Sequence, residues 1–141
     1  NELNKIIKKI SKLGGGLLLI DYGYLTPENK NTLQSVIKHK KNDLLYNLGK
    51  ADITSLVNFN LLYEHFIKNN LKVKKIVTQK FFLEKMGILA RANNLSQKMS
   101  FKEQSNLYFR LKRLLDRKLM GDLFKVIFTY KSKKDNFLGF E

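Results

Sequence analysis

GGGLLLIDYG at residues 14–23 decides how this chain folds. Three glycines release four apolar residues, and the run ends on an acid, a tyrosine and a further glycine. The pattern predicts a central strand of an α/β sheet over residues 17–21, apolar throughout and so covered on both faces. Its polar end would stand at the carboxyl-end edge, where open α/β sheets gather their ligands. Only a short helix fits upstream, so no glycine-rich phosphate or cofactor loop precedes the strand. The expectation is the later half of a nucleotide-type fold. The opening on Asn1 rather than Met fits a fragment or a processed product.

The flanking segments support an α/β reading. Leu3, Ile6, Ile7, Ile10 and Leu13 recur at three- and four-residue steps, predicting a helix over 2–13 that Gly14 ends. Residues 24–50 are less regular. Thr26-Pro27 is a turn or helix start, 32–37 alternates weakly as an extended segment, 38–43 is polar, and Leu48-Gly49 turns again. A second helix is predicted over 58–69, capped by Asn58 and buried through Phe59, Leu62, Tyr63, Phe66 and Ile67. Residues 73–78 read as a strand, 80–86 as a short helix stopped by Gly87, and 89–98 as another helix. Ser100 and Glu103 form a capping-box pattern opening a helix near 101–117. Its expected apolar face is Phe101, Leu107, Tyr108, Leu111, Leu114 and Leu115. Residues 123–129 read as a strand, and 137–140 as a tail docking back onto the domain.

Composition narrows the function classes. At 141 residues and 43% hydrophobic, the chain can bury a core. The absence of cysteine excludes disulfides, thiolate metal sites and cysteine nucleophiles. His39 and His65 lie too far apart for a metal-ligand spacing. No apolar run is long enough for a membrane helix, so no membrane insertion is expected. The net charge of +15 is carried overwhelmingly by lysine, and the aromatics fall mostly at core spacings. That favours a solvated lysine surface, and a nucleic-acid partner is not expected.

The residues at the predicted carboxyl edge carry the chemistry. Asp21 is a turn-forming acid or a rim carboxylate able to orient a cationic nitrogen. Tyr22 and Tyr24 are cleft walls or boundary aromatics, and Gly23 permits a close approach or an unusual backbone angle. His39 lies in a polar loop beside lysines. Asp52 and Thr54 resemble a local cap, and Gln79 is a ligand donor or a cap of the next helix. His65 reads as a helix-surface or boundary residue.

Ordered blocks along the chain resemble a known family. They are residues 15–24 (GGLLLIDYGY), 31–36 (NTLQSV), His39, and 49–54 (GKADIT). Thr78-Gln79, Phe82-Leu83, Met86-Gly87-Ile88 and residues 120–126 (MGDLFKV) follow. The set is similar to the carboxyl-terminal half of the MidA-like S-adenosylmethionine-dependent methyltransferases. That family includes a mitochondrial complex I assembly factor that methylates a protein arginine.

The resemblance implies an α/β, class I (Rossmann-like) methyltransferase fold. Residues 17–21 would be its fifth strand, 73–78 the sixth, and 123–129 an antiparallel seventh inserted between them, with flanking helices. On that reading residues 1–141 are one partial domain, and S-adenosyl-L-methionine is gripped mainly by an absent amino-terminal half. The fragment alone would then be inactive. The resemblance also implies a protein substrate, with a respiratory complex I subunit as candidate. Location would be cytoplasmic in a bacterium and the mitochondrial matrix in a eukaryote. Asp21 and Asp52 become the catalytic candidates, with Tyr22, Gly23, Tyr24, His39, Thr54 and Gln79 for substrate. Family members commonly carry histidine where Leu56 stands and aspartate where Asn58 stands. An unpaired edge beside Leu17 would invite a homo-oligomer. The rival reading is a non-catalytic basic module that holds an acidic protein or RNA.

Overall fold

The computed structural model describes residues 2–26, 31–38 and 40–141. Helix α1 (Glu2–Leu13) leads through Gly14, at φ 80°, into strand β1 (Gly15–Tyr24). β1 is ten residues long, so the glycines belong to the strand rather than to a turn before it. A small antiparallel sheet follows, made of β2 (Gln34–Ile37), β3 (Lys40–Asn42) and β4 (Asp52–Thr54) in the order β3-β2-β4. The polar stretch expected as loop thus supplies β3, because its backbone pairs with the apolar β2 beside it. β5 (Val57–Asn58) returns to β1 in parallel, and α2 (Phe59–Lys68) starts directly from it. Asn58 caps α2 as expected: its Oδ1 accepts the Leu61 N–H at 3.2 Å.

The predicted strand at 73–78 is divided into β6 (Lys72–Val73) and β7 (Val77–Thr78). Both lie against one long partner, β8 (Phe124–Lys131), and both are antiparallel to it. β8 is also antiparallel to β1 along eight residue pairs, from Gly15↔Lys131 to Tyr22↔Phe124. The last strand therefore inserts between the first and the β6/β7 pair, as expected for the reversed seventh strand. Between β7 and β8 the chain makes α3 (Gln79–Lys85), α4 (Ile88–Ser96), α5 (Phe101–Leu115) and a wide turn, Arg117–Gly121.

One face of the sheet packs on α1 and α2. Ile7, Ile10, Phe59, Phe66, Leu71 and Ile127 form that core, with Leu17 and Leu19 of β1 against it. On the other face Phe128 meets the tail residues Phe137 and Phe140, and Phe82 of α3 reaches Phe140. The tail thus docks as predicted, but it covers β8 rather than β1. Leu18 and Ile20 remain 42% and 43% exposed. β1 is consequently covered on one face, not two. A second expectation also gives way on α5. Leu107, Leu111, Leu114 and Leu115 turn inward, whereas Phe101 and Tyr108 are 86% and 61% exposed. Those rings share a helical stripe with Leu115, but α3 and α4 are too narrow a layer to reach them.

Candidate functional site at the carboxyl edge of the sheet

β1, β5 and β7 run parallel to one another, and their carboxyl ends meet at one edge. Asp21, Lys125 and Thr78 stand in one cross-strand row there, because Asp21 pairs with Lys125 and Lys125 with Thr78. Tyr22 follows, with its ring 4.9 Å from Phe124 in an edge-to-face pair. Asp21 is exposed, and its Oδ1 accepts the Tyr22 N–H at 2.8 Å. That bond turns the carboxylate along the strand end and leaves its remaining acceptor positions toward solvent.

Gly23 is buried where β1 touches β5. A Cβ there would stand 2.2 Å from the Val57 carbonyl oxygen and 2.7 Å from the Phe59 ring. Close approach, rather than an unusual φ, is why glycine fits. Tyr24 pairs with Asn58, the cap of α2. An aspartate at that position would cap the helix equally well.

Asp52 and Thr54 do not form the local cap read from the sequence. They lie on β4, opposite Val36 and Gln34. Two residues later the Leu56 N–H donates to Thr32 Oγ1 at 3.3 Å, which leads β4 into β5 and back to Gly23. Asp52 is exposed and Thr54 half-buried. Gln79 sits just beyond Thr78, but its side chain is 7% exposed and donates to the Leu114 carbonyl at 3.0 Å. Its amide therefore ties α3 to α5. His39 lies outside the described residues. His65 is a boundary residue as expected, bonded to Asn4 Oδ1 at 2.8 Å.

Two residues take roles that the sequence pattern did not assign. Lys125 faces the same side as Asp21, and burial holds its ammonium below the usual lysine range, against the raising effect of Asp122. Its Nζ donates to the Asp122 carbonyl. Only the register between β1 and β8 reveals it. Asn42 organises the small sheet. Its Nδ2 donates to Ser35 Oγ and to the carbonyls of Asp43 and Tyr46, at 3.1, 2.8 and 2.7 Å. No local pattern in the sequence marks such a hub.

The edge offers an exposed carboxylate, Asp21, able to accept charge-assisted hydrogen bonds from a cationic group, with Tyr22 and Tyr24 half-buried next to it along the strand. Among the described residues no group of histidines and acids could hold a metal ion. Nor do they assemble a nucleotide-type cradle, which needs glycine backbone between a strand and a helix N-terminus. Gly14 instead links α1 to β1, and Gly15 and Gly16 lie within β1 at its amino end. The described residues therefore do not supply the floor of such a site.

Residues 1–77, more than half of the chain, match the family model described as "Putative S-adenosyl-L-methionine-dependent methyltransferase". The chain belongs to this MidA-like family. This MidA-like chain is 33% identical, over 124 residues, to the mitochondrial protein arginine methyltransferase NDUFAF7 of Xenopus tropicalis. It is 31% identical, over 121 residues, to the Caenorhabditis elegans homolog. Those alignments cover 87% and 86% of this chain but 28% and 27% of the relatives, so it spans under a third of their length. The fold matches a Burkholderia thailandensis crystal structure with a TM-score of 0.82 at 22% identity, covering 96% of this chain and 38% of that one. A second structure from the same organism, bound to S-adenosyl-homocysteine, matches with a TM-score of 0.77 at 23% identity, covering 96% and 37%.

Proposed function

We propose that these residues are the carboxyl-terminal part of an S-adenosylmethionine-dependent methyltransferase that modifies a protein arginine. They form the substrate-side wall of the cleft, and the donor is held mainly by segments outside the 141 residues. The observation that carries this reading is the sheet edge: Asp21 and Tyr22 stand at the carboxyl end of β1, with β8 reversed beside it. Methyl transfer needs donor and nucleophile held in line, so positioning supplies much of the rate. Asp21 holds the guanidinium by charge-assisted bonds, with Asp52 the second candidate carboxylate. Tyr22, Gly23, Tyr24, Thr54 and His39 are assigned to the substrate side, as is Gln79 through its hold on α5. A complex I subunit is the candidate substrate that the family resemblance implies, and the mitochondrial matrix the corresponding location in a eukaryote.

Calorimetry with S-adenosylmethionine tests the division of labour. The 141-residue chain gives no heat of binding, whereas the full-length product binds the donor and transfers labelled methyl to arginine. In that product Asp21→Asn lowers transfer by roughly a hundredfold, with donor binding unchanged. Heat from the 141-residue chain alone would overturn the placement of the donor site.

A further inference from the structure

Helix α5 presents cations and aromatic rings together on its open side. Phe101, Tyr108 and Phe109 are 86%, 61% and 63% exposed. Lys102, Arg110, Lys112 and Arg113 are exposed among them. All four arginines of the chain lie between residues 91 and 117. From Ile88 to Gly121 there are eight cations against two carboxylates, Glu103 and Asp116. Both carboxylates are engaged locally. Glu103 accepts from Ser100, and Asp116 Oδ1 accepts the Lys118 N–H at 2.8 Å. Among the described residues no acid stands in ion-pair range of Lys102, Arg110, Lys112 or Arg113.

Beside this face runs an open groove of about 380 Å³ between α3, α4 and α5. Leu89, Tyr108, Leu111 and Leu115 make its apolar surface, and Lys80 and Lys112 stand on its rim. Glu84 and Asp116 also line it; Glu84 is paired with Lys80 at 3.4 Å, and Asp116 accepts the Lys118 N–H. An apolar groove with the unpaired Lys112 on its rim, on a helix that also carries the free cations Lys102, Arg110 and Arg113, fits an amphipathic helix with leucine-like anchors on one face and carboxylates beside them. Single-stranded RNA fits less well. It needs successive ring faces open on a concave track, whereas Tyr108 and Phe109 lie on a convex helix, edge to face at 5.7 Å and 69°. A membrane surface needs rings and cations on separate faces, and here they are mixed.

We propose that α5 and this groove dock an acidic amphipathic segment of a protein partner. This rests on the reading above, in which that partner is the methylated protein. The experiment is fluorescence anisotropy on the full chain without any methyl donor. The probe is a labelled helical peptide of leucine at heptad-like spacing with glutamate between. It is expected to bind, with affinity falling at least tenfold between 50 and 300 mM salt. Lys112→Glu with Arg113→Glu weakens binding roughly tenfold or more, and Tyr108→Ala roughly fivefold. Lys9→Glu, on α1, changes it little. Circular dichroism checks that each variant keeps its fold, and Phe109→Ala serves as a second ring variant. No binding, equal binding of a glutamine-for-glutamate peptide, or tighter binding of an oligouridylate or of anionic vesicles would overturn the proposal. The two readings separate cleanly. A full-length product that transfers methyl but ignores the acidic peptide loses only the docking surface. One that binds the peptide but transfers no methyl keeps the docking surface and loses the reaction.

Discussion

At Gly23 the backbone of β1 and that of β5 approach too closely for any side chain. Gly23→Ala must push Val57 or the Phe59 ring away, and Phe59 is fully buried in the core. Overpacking of this kind costs about 2–3 kcal/mol, so the melting temperature falls by on the order of 10 °C. A thermal melt of the chain reads this directly. Lys125 allows a second residue-scale prediction. Burial penalises its charged form, so the folded chain releases that proton below the usual lysine range. The penalty is fully present at lower pH and fades as pH rises from the folded pKa toward the unfolded one, so this residue's contribution to stability improves upward through that window. NMR titration of ¹³C-dimethylated lysines, with Lys125→Arg for assignment, is expected to show Lys125 titrating below the usual lysine range. Asp21, Tyr22 and Gly23 could be nominated from residues 14–23 alone because one strand end holds them together. Lys125 could not, since its relation to Asp21 exists only once β8 pairs with β1 in a particular register.

Helices and strands were legible where local chemistry punctuates the chain. Asn58 capping α2, Gly87 at φ 81° before α4, and the Ser100–Glu103 box at the start of α5 all act within three or four residues of themselves. What a helix packs against is not local, which is why Phe101 and Tyr108 were read as core. The period of 3.6 says which residues share a face and not how far a neighbouring layer extends over it. The same reasoning applies to Leu18 and Ile20, whose apolar run predicted cover that the tail gives to β8 instead. The box makes its own prediction. Ser100 Oγ–H and N–H both donate to Glu103 Oε2, at 2.7 and 2.8 Å, and hold that carboxyl below its usual range. Its contribution to α5 is present above the unfolded carboxyl pKa and is lost as pH falls through the folded one. Ser100→Ala is expected to speed amide exchange in the first turn of α5 roughly fivefold at neutral pH, with the sheet amides unaffected.

The 141 residues combine a high positive charge with an open sheet edge among the described residues. Along residues 15–22 the outer edge of β1 has no partner strand among the described residues, since β5 pairs only with Gly23 and Tyr24. Half of the backbone groups along such an edge point outward, and Leu18 and Ile20 leave the adjoining face half-bare. Alone, the chain can satisfy it with a second copy, but a net charge of +15 repels copies at long range. Salt screens that repulsion, with a Debye length of about 10 Å at 0.1 M, while leaving edge pairing and apolar contact in place. The 141-residue chain is therefore expected to sediment as a monomer at about 20 mM salt and to dimerise as salt rises toward roughly 0.5 M. Ile20→Lys, which sets a charge on the bare face, is expected to keep it monomeric throughout. Docking at α5 has the opposite sign, weakening with salt, so one salt series separates the two surfaces. A chain that stays monomeric at high salt, whether or not Ile20 is changed, would mean that the β1 edge is protected within the chain.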